Sequence, residues 1–252
     1  MKQEERRQED HYNSISIEYE KHYDDRWSNL YLKWCVFPHL FKNISIKGKI
    51  VVDAMCGTGQ LTRYIQQKKP DKIIGIDISE KQLQCYKKKN PNVTTICTSV
   101  TQIPLERNSV DVICVSGGLH HVYPYFNETL MEFYRILKPN GIICFSEPHQ
   151  HSIVDKLRQL WYKRDPLFEE NEKSIDISSL KKDFQCQFKV VKEKYIGTLA
   201  HFFVLNSMVF RIPVCLKWLY SPLFIIIEFM LNFLPQKYIA SNVICQLIKK
   251  EI

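Results

Sequence analysis

The stretch Val51-Val52-Asp53-Ala54-Met55-Cys56-Gly57-Thr58-Gly59-Gln60-Leu61-Thr62 decides the fold of this chain of 252 residues. An apolar run of strand length ends in an acidic residue, passes two closely spaced glycines and enters a stretch of helical character. Glycine reaches backbone conformations that other residues avoid, so Gly57 and Gly59 permit a tight turn and the close approach of a ligand to the main chain. The stretch therefore predicts a strand–turn–helix unit with a binding site at the turn.

Apolar runs and amphipathic stretches alternate around this turn, from residue 49 to residue 146. The runs are short, rich in Val and Ile and mostly apolar on both faces, as buried parallel strands require. They are Ile50–Ala54, Lys72–Ile76, Val93–Cys97, Asp111–Ser116 and Gly141–Phe145. The helix candidates between them are Gln60–Lys69, Ser79–Lys89 and Asn127–Leu137. This alternation predicts an α/β class protein with a doubly wound, Rossmann-like sheet and right-handed crossovers.

A second acidic residue, Asp77, ends the strand that follows the glycine turn, eighteen residues after Gly59. An acid at this position can accept hydrogen bonds from both hydroxyls of a ribose. A dinucleotide site usually has a third glycine where this chain has Thr62, and it does not need the acid at Asp53. The pattern favours a nucleoside cofactor with an amino-acid tail over one with a pyrophosphate. The alternative is a turn that binds no ligand.

At these positions the chain resembles the class I S-adenosylmethionine-dependent methyltransferases, in the broad group called methyltransferase type 11. The turn from Asp53 to Gly59 resembles the family's D-x-G-x-G-x-G loop, with Met55 in place of the first glycine. The resemblance implies a seven-stranded sheet of five parallel strands and an antiparallel C-terminal pair, with S-adenosyl-L-methionine as the cofactor. Phe188–Ile196 and Ser241–Lys249 are the predicted last two strands.

Further segments match the family in the same order along the chain. Cys97–Leu105 resembles the segment that usually reads G-D-A-x-x-L-P-F, with Ser99 where an Asp normally binds the adenine amino group. Ser109–Ile113 resembles an S-F-D-V-V strand, Leu119–Val122 an L-H-H-V turn and Arg135–Gly141 an R-x-L-K-P-G-G turn. The resemblance implies that residues of the glycine turn and of these segments bind the cofactor: Asp53, Cys56, Gly57, Thr58, Gly59, Asp77, Ile78, Ser99, Val100 and Ser116.

His120 and His121 directly follow the fourth predicted strand, at the edge where open α/β sheets bind ligands. Methyl transfer to a hydroxyl or a carbon acid needs a general base, and histidine titrates near neutral pH, so both are candidate catalytic residues. The alternative is that the pair only shapes the turn. His149 and His151 would line the acceptor pocket or cap the next helix. The spacing of these histidines requires no metal, and no metal site is predicted.

Residues 1–46 are predicted to form an N-terminal helical lid. The aromatic side chains of residues 11–41 favour one or two helices, and Tyr12 and Tyr19 resemble the Y-x-x-x-A-x-x-Y entry helix of related enzymes. The resemblance implies that this helix folds over the cofactor, where an aromatic face beside a positively charged sulfur is favourable. The alternative is an aromatic helix that packs without touching the cofactor.

An apolar insert near residues 199–235 separates the last two predicted strands. Between Pro222 and Pro235 lie twelve residues, of which ten are apolar. A membrane-spanning helix needs about 20, and Lys217 and Glu228 interrupt the longer stretch, so no transmembrane segment is predicted. Three interpretations stay open: a lid over a lipid-like acceptor, a peripheral contact with a membrane surface, and a helical cap that completes the core.

The composition is that of an ordinary soluble globular chain, with 45% hydrophobic residues, 25% charged residues and a net charge of +8. The nine cysteines form no C-x-x-C pair, which argues against a zinc site or a disulfide framework and favours a reducing compartment. The charged first residues predict no signal peptide. We expect one integrated domain, cytoplasmic or peripheral at the inner membrane surface, made of residues 1–46, a cofactor-binding core at 47–148 and a substrate-side region at 149–252.

The predicted function is transfer of a methyl group from S-adenosylmethionine to the oxygen, nitrogen or carbon of a small-molecule or lipid-like acceptor. No DNA partner is expected, because the turn after the fourth strand reads Ser116-Gly117-Gly118-Leu119 rather than the Asn/Asp-Pro-Pro-aromatic turn of DNA amine methylation. No Pro-Cys dipeptide for cytosine chemistry occurs either. The alternatives are an RNA- or protein-modifying methyltransferase and a non-catalytic protein that binds the cofactor. The sequence leaves the acceptor and the oligomeric state open.

Overall fold

Seven strands form a single sheet in a computed structural model that describes residues 6–7, 22–162 and 173–251. They are β1 (Ile50–Ala54), β2 (Lys72–Asp77), β3 (Thr94–Cys97), β4 (Val110–Ser116), β5 (Leu137–Pro148), β6 (Phe188–Ile196) and β7 (Asn242–Lys249). Their order in the sheet is β3-β2-β1-β4-β5-β7-β6. β1 to β5 pair in parallel, and β7 is antiparallel to both of its neighbours, β5 and β6. The predicted doubly wound sheet with an antiparallel C-terminal pair is confirmed.

Helices cover both faces of the sheet. They are α1 (Arg26–Tyr31), α2 (Phe37–Leu40), α3 (Gln60–Gln66), α4 (Glu80–Lys89), α5 (Phe126–Ile136), α6 (Ile153–Tyr162), α7 (Ile177–Asp183) and α8 (Lys217–Leu231). A π-helical turn at Leu32–Val36 joins α1 to α2, and another forms at His201–Leu205. The Ser79 hydroxyl accepts the backbone N–H of Gln82 at 3.2 Å and so caps α4, at the residue where the sequence predicts this helix to begin.

The carboxyl ends of β1, β2 and β4 meet at one edge of the sheet, because β1 lies between the other two. Asp53 of β1 is in register with Gly75 of β2 and with Cys114 of β4. The strand order reverses between β1 and β4, since the chain builds outward to β3 before it crosses back. Open α/β sheets bind ligands in the crevice at such a reversal, so this edge is where the functional residues are expected.

Apolar side chains are buried on both faces of the sheet, which explains why its strands are apolar at nearly every position. On one face Ile113 belongs to the same core cluster as Phe133 of α5. On the other face Val51 shares a cluster with Tyr31 of α1 and Ile225 of α8. The N-terminal helices and the insert therefore complete the core on the second face.

The helix of the insert begins before the apolar run between Pro222 and Pro235. α8 begins at Lys217 and runs through Pro222, so Pro222 is an interior residue rather than the start. Proline removes one backbone hydrogen bond from a helix, here the bond to the carbonyl of Trp218. Among the described residues, one helical stretch, Val214–Leu231, is long and apolar enough to cross a bilayer by length and composition, and 22% of it is buried.

Candidate cofactor and acceptor site

The glycine turn between β1 and α3 holds three residues in the left-handed backbone region, Met55 at φ +55°, Gly57 at +51° and Gly59 at +84°. This region favours glycine because a Cβ atom crowds the backbone there. A Cβ atom at Gly57 would meet no atom within 4 Å, whereas one at Gly59 would lie 2.3 Å from Asn90 Nδ2 and 2.7 Å from the Tyr86 ring. The turn is therefore closed by Tyr86 at Gly59 and open to a ligand at Gly57.

Asp53, near the end of β1, is buried beneath the turn and bonded to the first turn of α3. The Thr62 hydroxyl donates to its Oδ2 at 2.6 Å, and the hydroxyl oxygens of Thr62 and Tyr86 are 2.7 Å apart. Burial raises the pKa of Asp53 to about 7, a shift that the Thr62 hydrogen bond opposes and the nearby Asp77 increases. Thr62 therefore ties the strand to the helix at the position where a dinucleotide site has its third glycine.

Asp77, at the end of β2, faces the glycine turn. Its Oδ2 accepts the backbone N–H of Gly57 and its Oδ1 that of Ser79, both at 2.9 Å. Burial raises the pKa of Asp77, and the hydrogen bonds from Ser79 and Gly57 oppose this shift. A carboxylate oxygen has two acceptor sites, so each oxygen can still accept a hydroxyl of a ribose.

The predicted adenine side of the site lies next to Asp77, where β3 pairs with β2. Ile78 is half-buried, whereas Val100 is buried in the core. Ser99 accepts the backbone N–H of Thr101 at 3.1 Å, and the two hydroxyl oxygens are 2.8 Å apart. Contact of Ile78, Ser99 and Val100 with an adenine stays a prediction.

Cys56 and Thr58 complete the turn. The backbone N–H of Cys56 donates to the carbonyl of Ile76 on β2 at 3.0 Å, which fixes the turn to the neighbouring strand. Burial raises the pKa of the Cys56 thiol well above its usual value, and Asp77 adds to this shift, so the thiol is protonated and unsuited to act as a nucleophile. Thr58 is half-buried. The roles of both in cofactor binding stay predictions.

The turn after β4 touches the glycine turn. Ser116 ends β4 half-buried, and Gly117 follows in the left-handed region at φ +71°. A Cβ atom at Gly118 would lie 2.7 Å from the Cβ of Met55 and 3.0 Å from its sulfur. The side chain that replaces the family's first glycine therefore packs where a second glycine leaves room.

Glu147 of β5 is completely buried and holds the turn after β4. Its Oε1 accepts the backbone N–H groups of Gly118 at 2.7 Å and Leu119 at 2.9 Å, and its Oε2 that of His120 at 3.3 Å. The ring Nδ1 of His120 lies 2.8 Å from the same Oε2. A carboxylate accepts hydrogen bonds and has no proton to donate, so Nδ1 is the protonated nitrogen of His120 in this arrangement.

His120 and His121 lie together at this edge of the sheet, with ring centroids 3.8 Å apart. Glu147 fixes the ring of His120 and leaves Nε2 as the nitrogen that can take up a proton. His121 is half-buried, and its charge lowers the pKa of Asp77 by a smaller effect than burial raises it. The catalytic role of the two histidines stays a prediction, and His120 is the one whose ring is held by Glu147.

His149 and His151 contact the C-terminal part of the chain. The ring of His149 is 4.4 Å from that of Tyr195, and its Nε2 is 3.2 Å from the Lys237 carbonyl oxygen. His151 is exposed, with Nε2 3.4 Å from Oδ2 of Asp176. No group of three or more His, Cys, Asp or Glu side chains able to hold a metal ion occurs among the described residues.

The segment before α1 contacts the two helices that border the glycine turn. Asp24 accepts hydrogen bonds from Arg63 of α3 and from Lys89 of α4. Burial alone would raise the pKa of Asp24, but the hydrogen bonds from Arg63 and Lys89 outweigh it and hold the pKa below its usual value. The backbone carbonyl of Tyr23 accepts a hydrogen bond from Gln60. This segment is therefore fixed over the start of α3.

The same segment also reaches the insert, because Lys217 Nζ donates to Asp25 Oδ2 at 2.5 Å. It thus links the cofactor side of the molecule to residues 199–235. Tyr12 and Tyr19 lie outside the described residues, and their place over the cofactor stays a prediction.

These residues fit the nucleoside part of S-adenosylmethionine. Gly57 offers open space next to the main chain, and Asp77 is held in front of it by two backbone N–H groups. A ribose needs such paired acceptor oxygens for its neighbouring hydroxyls. The ligand would therefore lie across the reversal point of the sheet, between the turns after β1 and β4.

Comparison with known proteins identifies the central part of the chain. Residues 52–145 match the model of a family described as a methyltransferase domain. The chain contains a class I, S-adenosylmethionine-dependent methyltransferase domain. This confirms the family resemblance and the S-adenosylmethionine cofactor that the resemblance implies.

Curated relatives share this domain but not their whole length. The chain is 39% identical over 93 residues to an uncharacterized methyltransferase-like protein of Schizosaccharomyces pombe, covering 36% of this chain and 35% of that protein. It is 31% identical over 153 residues to a demethylmenaquinone methyltransferase of Geobacillus, covering 56% of this chain and 64% of that enzyme. The chain thus spans about a third to two thirds of the length of these relatives.

Solved structures extend the likeness in fold to nearly the whole chain. The methyltransferase in a complex with the Haloferax volcanii Trm112 activator has a TM-score of 0.66 at 15% identity, covering 97% of this chain and 98% of that one. A SAM-dependent methyltransferase from Aquifex aeolicus has a TM-score of 0.59 at 15% identity, covering 94% and 98%. At this identity the likeness concerns the fold, including the flanks of the methyltransferase domain.

Two residues that organise the site escape sequence reasoning. Glu147 ends the fifth strand next to a proline, and nothing local shows that its carboxylate would bind four donors on another turn. Tyr86 lies on the apolar face of α4, which signals burial but not that its hydroxyl reaches Thr62. An acidic residue at the end of an otherwise apolar strand is the one signal that could have indicated Glu147.

Proposed function

We propose that this chain transfers the methyl group of S-adenosylmethionine to a lipid-like small molecule. The observation that carries the methyl-transfer part is the open glycine turn that faces Asp77 inside a matched methyltransferase domain. The acceptor class is supported by the apolar insert, residues 199–235, which exposes large apolar side chains such as Leu223 and Met230.

S-adenosylmethionine, when bound, supplies a methyl group on a positively charged sulfur. Asp77 and the main chain at Gly57 would hold its ribose. The turn after β4 would face the transferred group, and Glu147 keeps His120 with its proton on Nδ1. For an acceptor with an acidic O–H or C–H group, Nε2 of His120 would take up the proton that the acceptor loses when it gains the methyl group.

A lipid-like acceptor also agrees with the names of several relatives. Demethylmenaquinone methyltransferases of Geobacillus and Lactococcus lactis are 31% and 28% identical to this chain over 153 and 160 residues. Their name denotes a quinone acceptor. We infer an apolar acceptor with an aromatic or enolic hydroxyl for this chain, since His120 could then act as its base.

The test is transfer of a radiolabelled methyl group to a fractionated cell extract. The purified chain is incubated with methyl-labelled S-adenosylmethionine and with separate lipid, RNA and protein fractions. The proposal predicts label in the organic phase of the lipid fraction. Label that enters RNA or protein instead would contradict the acceptor class, and no label in any fraction would contradict catalysis.

A matched pair of variants links the labelling to the site. Asp77→Asn removes the charge of the predicted ribose acceptor and is expected to abolish most of the labelling. Asp71→Asn makes the same change at an exposed position just before the same strand, β2, and should leave it unchanged. Equal labelling by both variants would show that the transfer does not use this site.

A further inference from the structure

Helix α8 buries its polar residues together with Ile225 and exposes most of its other apolar residues. Lys217, Ser221, Glu228 and Asn232 recur at helical spacing and are all buried. A surface helix of a soluble protein has the opposite arrangement, with its apolar stripe facing the core. The inversion needs a physical explanation at both faces.

The buried face is stabilised because its carboxylate has donors. Glu228 accepts the backbone N–H groups of Gly197 at 3.1 Å, Thr198 at 2.9 Å and Ala200 at 3.0 Å. It also accepts the Thr198 hydroxyl at 2.8 Å. Hydrogen bonds to a buried carboxylate are strong, and removal of the carboxylate from this loop would leave several donors unpaired.

Both ends of the helix are fixed to the region around α1, between residues 25 and 35. At the start, Lys217 Nζ donates to Asp25 Oδ2 at 2.5 Å and to Ser28 Oγ at 3.0 Å. Just past the end, the Asn232 side chain donates to the carbonyl of Cys35 at 3.0 Å. These contacts hold α8 on the body of the protein, so it cannot cross a bilayer without breaking an ion pair and the bonds of Glu228.

The outer face is apolar over its whole length. Leu219, Leu223, Ile226 and Met230 recur three or four residues apart, and their exposed fractions are 60%, 58%, 52% and 65%. The surface continues in the turn after the helix, where Phe233 is 76% exposed. We call this the α8 face; its other exposed members are Trp218, Phe229, Leu234, Tyr238 and Ile239. Contiguous apolar surface of this kind marks a site of contact with an apolar partner.

The exposed charged side chains of the segment that contains the α8 face, residues 194–250, are all positive. From residue 194 to residue 250 the chain has one acidic residue, Glu228, and that side chain is buried. Arg211 and Lys237, before and after the helix, are both exposed. An apolar face whose own segment exposes basic residues before and after the helix complements the surface of an anionic membrane.

We propose that the α8 face docks the protein onto the surface of an anionic lipid bilayer, with α8 lying in the plane of the interface. Trp218 and Tyr238, exposed near the two ends, are the residue types that prefer the level of the lipid head groups. The polar contacts of Lys217, Glu228 and Asn232 keep the opposite face on the protein. Docking is independent of methyl transfer, and it would bring the neighbouring site to the place where a lipid-like acceptor resides.

Flotation of the full chain with vesicles tests the docking directly. With vesicles of phosphatidylcholine and phosphatidylglycerol at low salt, we expect the chain to float, and to be released by a carbonate wash. Vesicles of phosphatidylcholine alone should bind roughly tenfold less, because Arg211 and Lys237 lose their partners. Failure of the wild-type chain to float, or resistance to the carbonate wash, would overturn the proposal.

Matched variants locate the contact. Met230→Glu on the α8 face should lower the vesicle-bound fraction by about tenfold, since one apolar side chain is replaced by a charge that anionic lipids repel. Met131→Glu makes the same change on α5, where Met131 is 45% exposed, and should leave binding unchanged. Equal losses for both variants would overturn the proposal, and so would a dimer in solution that Met230→Glu dissociates without vesicle binding. Affinity for S-adenosylmethionine is measured alongside and should be the same for all three proteins.

Discussion

The side chain of Met55 occupies the space that a side chain at Gly118 would need, with Met55 Cβ 2.7 Å from the position of such a Cβ. Met55 has a left-handed backbone, which costs a residue other than glycine about 1–2 kcal/mol. Contact with Gly118 gives this side chain a packing partner at the junction of the turns after β1 and β4. Met55, which replaces the family's first glycine in the turn after β1, therefore fits because residue 118 in the turn after β4 is a glycine.

Gly118→Ala should destabilise the protein by about 1–3 kcal/mol, because the new methyl group would overlap the Met55 Cβ, an atom fixed to the backbone. In the Met55→Gly background the same substitution should cost almost nothing, since the backbone of Gly118, at φ −124°, suits alanine. Urea unfolding of the four proteins gives the coupling free energy, expected to be at least about 1 kcal/mol. Additive effects would show that the two turns do not contact each other.

Asp53→Asn should change how stability depends on pH. In the unfolded chain Asp53 ionises near its ordinary pKa of 3.8, but in the folded chain burial raises that pKa to about 7. Between these values the folded state holds a proton that the unfolded state has lost, so this group's contribution to stability decreases as the pH rises through the folded pKa. From pH 5 to pH 7 the wild type should therefore lose about 2 kcal/mol relative to Asp53→Asn.

The asparagine keeps the Thr62 hydrogen bond, because its carbonyl oxygen can accept from the same hydroxyl. The comparison thus isolates the ionisation of Asp53. Parallel stability curves of the two proteins between pH 5 and pH 7 would contradict the assignment of the raised pKa to Asp53.

Asp77→Asn should weaken the binding of S-adenosylmethionine by about 10- to 100-fold, since a charged acceptor of ribose hydroxyls is replaced by a neutral amide. Titration calorimetry measures the effect. Asp71→Asn, at an exposed position before the same strand, should bind like the wild type. An unchanged affinity of Asp77→Asn would remove Asp77 from the cofactor site.

His120→Asn separates the structural role of His120 from a catalytic one. The asparagine amide can donate to Glu147 in place of Nδ1, so the turn should stay folded, but it cannot take up a proton. We expect kcat for labelling of the lipid fraction to fall about 100-fold or more while the affinity for S-adenosylmethionine is retained. A wild-type rate and pH profile would mean that His120 only shapes the turn.

The sequence predicts the sheet well because each strand is a short apolar run bounded by recognisable turns. β1 and β6 have their predicted bounds, and the cap at Ser79 follows from a local hydrogen-bonding pattern. The cofactor turn is equally local, since the conformations at Gly57 and Gly59 are a property of a few adjacent residues.

Other features depend on contacts between distant parts of the chain, which no local pattern encodes. Glu147 holds a turn that lies 27 to 29 residues earlier in the chain. In the sequence, Glu228 and Lys217 only interrupt an apolar stretch. In the structure they are the residues that attach α8 to the protein. The start of α8 at Lys217 is not marked by a local signal either, because Pro222 is tolerated inside the helix.

Comparative mass spectrometry of lipid extracts from cells with and without this protein tests the central claim most directly. If the chain methylates a lipid-like acceptor, cells that lack it should accumulate a lipid that is lighter by one CH2 group, and its methylated form should disappear. Expression of the wild type should restore the methylated lipid, and expression of Asp77→Asn should not. Identical lipid profiles, together with a missing methyl group on an RNA or a protein, would contradict the claim.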